Sequence, residues 1–173
     1  EIQAMSTGQE TTAEVSTGLF VKNIDGMRGL NGLERIGITV QPRAGSRDID
    51  LSKSYIEISN TAIKCVLLYT NGEFNFRSAI QGDLFSGGFF DGCDATHFGI
   101  VVLEDADNSL SANAPAMNRG DKVMLTFNSL DVFQEELLSR TDVFGLVQPE
   151  EGIPGVFGFR TPFISGNDIY TLY

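Results

Sequence analysis

Histidine occurs once in this chain, cysteine twice and tryptophan not at all, and no apolar run is long. Each scarcity excludes something. A Ser-His-Asp or Cys-His arrangement would have to use His97, and no nucleophile-elbow or protease pattern surrounds it. The absence of Trp removes the usual stacking platform for a sugar. Cys65 and Cys93 form no CxxC pair. Cys65 lies in an apolar stretch, where a buried free thiol is expected, and a disulfide to Cys93 is the weaker reading. No segment approaches the ~20 apolar residues of a membrane helix. No glycine loop followed by Lys and Ser or Thr exists to cradle phosphate. No Asn-x-Ser/Thr sequon occurs, and no signal peptide is read in the polar residues after Glu1. Basic residues are few: 12 Lys and Arg face 23 Asp and Glu, for a net charge of −11. Such a surface repels phosphate backbones, so nucleic acid is not an expected partner.

What is present describes a folded β-protein. Hydrophobic residues make up 42% of 173, with 13 Phe, which is enough to build a real core. The most informative stretch runs from Ser139 to Pro162. It reads as two strands, Thr141 to Val147 and Gly155 to Phe159, joined by a corner. Pro149 and Pro154 fix φ there, while Gly152 and Gly155 permit positive φ. Residues 1–16 lack an apolar face and read as a polar arm or the end of an upstream helix. Strands are expected at Gly18 to Ile24, from Leu33 to Val40, at Tyr55–Ser59, from Ala62 to Thr70 and from Glu73 to Ile80. Further strands follow at His97 to Leu103, Asp121 to Asn128 and Asp168 to Tyr173. Asp25-Gly26, Asn31-Gly32 and Asn71-Gly72 read as tight turns, the last as a type I′ hairpin. Leu130 to Leu138 reads as a short helix, and 81–97 and 104–118 as long loops. Together these predict an all-β antiparallel sandwich or barrel of about eight to ten strands over 17–173.

Two loops concentrate oxygen ligands. Asp91, Asp94 and His97 recur every third residue around Cys93. Asp105, Asp107 and Ser109 match the opening of an EF-hand loop, but Leu110 stands where glycine is required and Ala116 where the bidentate glutamate belongs. An EF-hand is therefore rejected. In the first loop a solvated Asp/Gly turn before a strand competes with a cation site; in the second, crowded acidic side chains would repel without a counter-ion, which leaves a non-EF calcium site open. Asp91, Asp94, Asp105, Asp107 and Asn108 are the candidate ligands on oxygen chemistry, with Ca²⁺ as the expected ion. Asp48 and Asp50 read as turn caps.

Several blocks resemble the archaellins, subunits of the archaeal swimming filament, in matching order. They are Gln9 to Val21, Ile36-Gly-Ile-Thr-Val, Ala44 to Ser52 and Phe98-Gly-Ile. Leu103 to Leu110, Met117-Asn-Arg-Gly-Asp121 and Arg140-Thr-Asp-Val-Phe-Gly through Pro162 complete the set. The resemblance implies an immunoglobulin-like β-sandwich, a non-enzymatic structural subunit that packs helically with its own kind, outside the cell, for motility, and in some archaellins one bound metal ion. It also implies a long hydrophobic N-terminal helix that is not in this sequence. The chain is thus expected to be the outer domain, touching membrane only through that helix and monomeric or weakly associating without it. Residues 129–173 carry seven acidic residues and two arginines, so that region is expected to be the more negative. A pilin-like adhesion or accessory protein is the nearest alternative, and a secreted carbohydrate-binding or enzymatic sandwich the more distant one.

Overall fold

The structure, a computed structural model, describes residues 17–173, so the expected N-terminal arm lies outside the described residues. Alternating apolar side chains generate β1 (Leu19–Arg28), β2 (Leu33–Pro42), β4 (Tyr55–Ser59), β5 (Lys64–Phe76) and β6 (His97–Glu104). They also generate β8 (Lys122–Asn128), β9 (Asp142–Gln148), β10 (Gly155–Arg160) and the short β11 (Ile169–Thr171). These nine form one sheet in the order β10-β9-β4-β5-β6-β8-β2-β1-β11, and β3 (Ile49–Asp50) pairs with β7 (Ala116–Met117) beside it. The inward residues, among them Ile36, Ile38, Ile56, Phe98, Ile100, Leu125, Phe127 and Val147, form one cluster.

The sheet curls until its two ends meet. The 149–154 corner returns the chain so that Ile153 pairs with Gly18, and the Leu19 amide donates to the Ile153 carbonyl at 3.1 Å. A Cβ at Gly155 would sit 2.8 Å from Leu19 Cδ1 and 3.1 Å from the Val21 nitrogen, so a larger residue there would press on β1 where the ends meet. Gly152 has φ +100°, as the corner requires; Gly155 does not need positive φ.

Two predicted turns are strand. Asp25 and Gly26 pair within β1 against Gly37 and Ile36. Asn71 and Gly72 do not reverse the chain, and neither has positive φ. They lie in a bulge of the continuous β5, between Tyr69↔Phe98 and Phe74↔Ile100. On the side away from β4, β5 pairs with β6 running parallel, the single departure from antiparallel pairing between the strands of this sheet. Parallel neighbours need a crossover of a dozen or more residues. The Phe-rich segment 77–96 is that crossover. It lays Ile80, Phe85 and Phe90 over Val101 and Met124 on the outward side of β6 and β8, a second small core. Arg35 pins it, with Nη1 donating to the Phe85 carbonyl and its guanidinium 5.8 Å from the Phe90 ring centre.

The predicted 130–138 helix is shorter. Helix α1 (Ser129–Phe133) is capped by Asn128 Oδ1, which accepts from the Leu130 amide, and Gln134 stops it in the left-handed region at φ +63°. The chain then turns Glu136 inward against the 30–32 turn.

Candidate functional site

Of the five predicted cation ligands, the fold brings two together and adds a third. Asp105, Asp107 and Asp121 each offer a carboxylate oxygen within 4.8 Å of the others. The 104–118 loop carries the first two, and the turn before β8 carries Asp121. Asp121 is buried, with Oδ1 accepting from the Ala106 amide at 3.0 Å and Oδ2 from the Asn118 amide at 2.9 Å. Asp105 accepts from the amides of Ser109 and Leu110. Asp107 accepts from the Ser109 amide and from Asn118 Nδ2 at 2.8 Å. Hydrogen bonds from Ser109 and then Asn118 hold the Asp107 carboxyl below its ordinary pKa. Asn108 sits exposed at φ +57°, a conformation Asn tolerates, and shapes the loop.

Asp91 and Asp94 are elsewhere. Asp91 pairs with Arg35 Nη2 at 3.3 Å and helps anchor the crossover. Asp94 opens β6: its Oδ1 accepts from the Thr96 amide at 2.8 Å and lies 2.7 Å from His97 Nδ1. The Thr96 amide and then His97 lower its pKa. The sequence reading missed Asp121 because its position, just before an alternating run, marks a strand start. Its signal was the Asn118-Arg-Gly-Asp121 turn, where Gly120 takes φ +94°.

Both thiols are free. Cys65, predicted buried, is half-buried and donates to the Val132 carbonyl at 3.2 Å. Cys93 is buried against Thr126, and burial pushes its pKa up to about 11, leaving little thiolate at neutral pH.

The second feature is a surface. Along β10-β9-β4-β5 the outward positions fall into cross-strand rows: Val156–Leu146–Glu57–Val66, and beside it Gln148–Tyr55–Leu68. Phe144 stands next to Ser59 in the row beyond. Val66, Leu68, Phe144 and Val156 are 47%, 52%, 58% and 64% exposed. Lys64 bridges Glu57 at 2.8 Å at the edge of this face. Exposed apolar side chains in a continuous array mark an interaction surface. No helix among the described residues is long and apolar enough to cross a membrane.

A curled β-sheet domain with an uncovered apolar face and an oxygen-rich loop defines a structural packing domain. More particularly, the chain belongs to the archaeal-type flagellins, whose family pattern matches residues 1–159. It is 36% identical to flagellin B2 of Methanocaldococcus jannaschii, over 98% of this chain and 79% of that protein. It is 34% identical to flagellin B3 of Methanococcus voltae, over 98% and 81% respectively. The crystal structure of archaeal flagellin FlaB1 from M. jannaschii superposes with a TM-score of 0.80 at 28% identity, over 90% of this chain and 96% of that one. The archaeal flagellum of Methanospirillum hungatei shares the fold at a TM-score of 0.57 and 13% identity, over 99% and 82%.

Proposed function

We propose that this chain is a structural subunit of the archaeal swimming filament, an extracellular domain that packs with copies of itself or with related flagellins. The observation that carries the reading, beside family membership, is the bare apolar face on β4, β5, β9 and β10. Burying four large side chains there contributes several kcal/mol per contact on area grounds, before the cost of association. The face sets its side chains in register across four strands, which suits sheet packed laterally on a neighbour. A catalytic role has no comparable support, since the Cys93 thiol is sunk and His97 is engaged with Asp94 and Thr96. An antibody raised against the 173-residue chain should decorate cell-surface filaments of the producing organism along their length. Filaments that remain bare, with the antigen found elsewhere, would overturn the proposal.

A second reading is favoured by the acidic loop. We infer that Asp105, Asp107 and Asp121 hold one Ca²⁺. Two oxygens on a calcium at ~2.4 Å each can stand at most ~4.8 Å apart, and the three carboxylates meet that spacing with only oxygen donors. Each oxygen that accepts one backbone or amide hydrogen keeps a lone pair for the ion. When bound, the ion would offset three like charges and tie the 104–118 loop to the start of β8.

A further inference from the structure

The lateral face says nothing about how copies follow one another along a filament, and the distribution of unpaired charge does. Half of the twelve Lys and Arg among the described residues, namely Arg28, Arg35, Lys53, Lys64, Lys122 and Arg160, bridge an acid, and Lys22, Arg43, Arg47, Arg77, Arg119 and Arg140 do not. Of the unbridged six, Arg43 and Arg119 are exposed and stand together. They line one cleft of about 630 Å³ together with Phe20 and Pro42. Asp121 also borders it, with both carboxylate oxygens already accepting backbone amides. In a chain of net charge −11, this is an arginine-bearing, partly apolar hollow.

The complementary surface lies at the far end of the same hairpin. Leu30, 91% exposed, projects from the turn after β1. Glu136 fastens that turn, and Ser129 Oγ and the Leu137 backbone fasten Leu33. Leu30 is thereby grouped with exposed Leu130 and Leu138 and with Asp131 and Glu135. These two acids are exposed and have no ion-pair partner among the described residues. Phe20 and Leu30 are separated by the length of β1, ten residues or roughly 33 Å. Strand β2 repeats the relation, with Leu33 at the acidic corner and Pro42 at the cleft.

We infer that copies of this chain stack head to tail, the Arg43–Arg119 cleft of one receiving the Leu30–Glu135 corner of the next. The inference rests on the filament reading above. The occupant is a second copy because the chain itself carries the matching partner: leucines for Phe20 and Pro42, and unpaired carboxylates for unpaired guanidiniums. Two different patches make a heterologous contact, which repeats without closing when it does not generate a ring. Charges of this kind set orientation and partner choice more than affinity, so the contact is weak in isolation and strengthened by lateral packing.

The test is a mixing experiment on the 173-residue chain, followed by sedimentation at millimolar concentration and low salt. One variant carries Arg43→Glu and Arg119→Glu, the other Asp131→Arg and Glu135→Arg. All four sites are exposed, and circular dichroism checks that both variants fold. The parent chain should associate, about tenfold less in ~0.5 M salt than in ~0.05 M. Each variant alone should be monomeric, because its two faces then carry one sign. An equimolar mixture should associate again, since each supplies the face the other lacks. A monomeric parent, a variant that associates like the parent, or a mixture that fails to recover overturns the stacking. If the cleft instead takes a soluble anionic polymer such as a polysaccharide, reversing the acidic corner leaves association unchanged, which also overturns it. Filaments decorated by antibody alongside a failed mixing experiment would remove the head-to-tail contact and leave the filament role standing.

Discussion

Glu136 is the side chain whose removal should do most damage for the least change in shape. It is buried, and its carboxylate accepts from three consecutive amides: Leu30 at 2.8 Å and Asn31 and Gly32 at 2.5 Å. This holds the turn between β1 and β2 against the segment after α1. Glu136→Gln preserves volume but leaves one acceptor oxygen and places an NH₂ against amide donors. With the oxygen in the place of Oε2, the Asn31 and Gly32 bonds persist as neutral ones and the Leu30 amide is met by another donor. Charged hydrogen bonds contribute ~1.5–3 kcal/mol, and an orphaned buried donor costs ~1–3. The expected loss is about 2–4 kcal/mol, or roughly 4–16 °C in Tm for a domain of this size. Thermal and urea unfolding at pH 7 measure it. Glu135→Gln, on an exposed neighbour, is the control and should stay within ~0.5 kcal/mol of the parent. Equal Tm values for the two variants would show that the carboxylate is not what fixes the turn.

Two other perturbations test separate parts of the structure. Burial, and then the negative charge of Asp91, raises the pKa of Glu73, which sits against Gly92 and Gly99. A carboxyl with a raised folded-state pKa penalises the fold above that pKa, and the penalty disappears as pH falls through it. Glu73→Gln should therefore raise stability at pH 7 and leave it little changed at acid pH; a lower Tm at pH 7 would contradict the burial argument. For the acidic loop, Ca²⁺ at a hundredfold over its Kd should stabilise the parent by ~2.7 kcal/mol against a chelator control, and Asp107→Asn should abolish most of that gain. An identical calcium shift in Asp107→Asn would place the ion elsewhere.

The strands were legible where alternation is local. Leu33 to Val40, Tyr55–Ser59 and the pair flanking the Pro149–Pro154 corner stand where their patterns put them, because one face of each must be buried whatever the neighbours are. The turns were less so. Asn71-Gly72 and Asp25-Gly26 are strong turn dipeptides, yet both lie inside strands, since the ladders on either side outweigh the local preference of two residues. Parallel β5–β6 pairing is a long-range fact that no dipeptide encodes, and it turned a presumed hairpin into a bulge. The acidic loop shows the same division. Asp105 and Asp107 are close in sequence and meet in space, whereas Asp121 joins them from another element and Asp91 and Asp94 go to Arg35 and His97.

Apolar pattern shows which faces need cover, but not whose residues provide it. Val101 and Met124 on β6 and β8 point outward, as do Val66, Leu68, Phe144 and Val156 on the other half of the sheet. The first pair is covered by the chain's own crossover, which Arg35 clamps in place through Phe85, Gly87 and Asp91. The second set has no crossover, because β4, β5, β9 and β10 are all antiparallel neighbours and their connections do not have to pass over the face. Antiparallel topology leaves a sheet face bare at no cost in chain length, and the near-continuous apolar run from Ala62 to Thr70 then places side chains on both sides of it. One half of the sheet is thus completed within the molecule. The other half has apolar side chains that no other element among the described residues removes from water, and that asymmetry is the physical basis for reading the domain as a unit of a polymer.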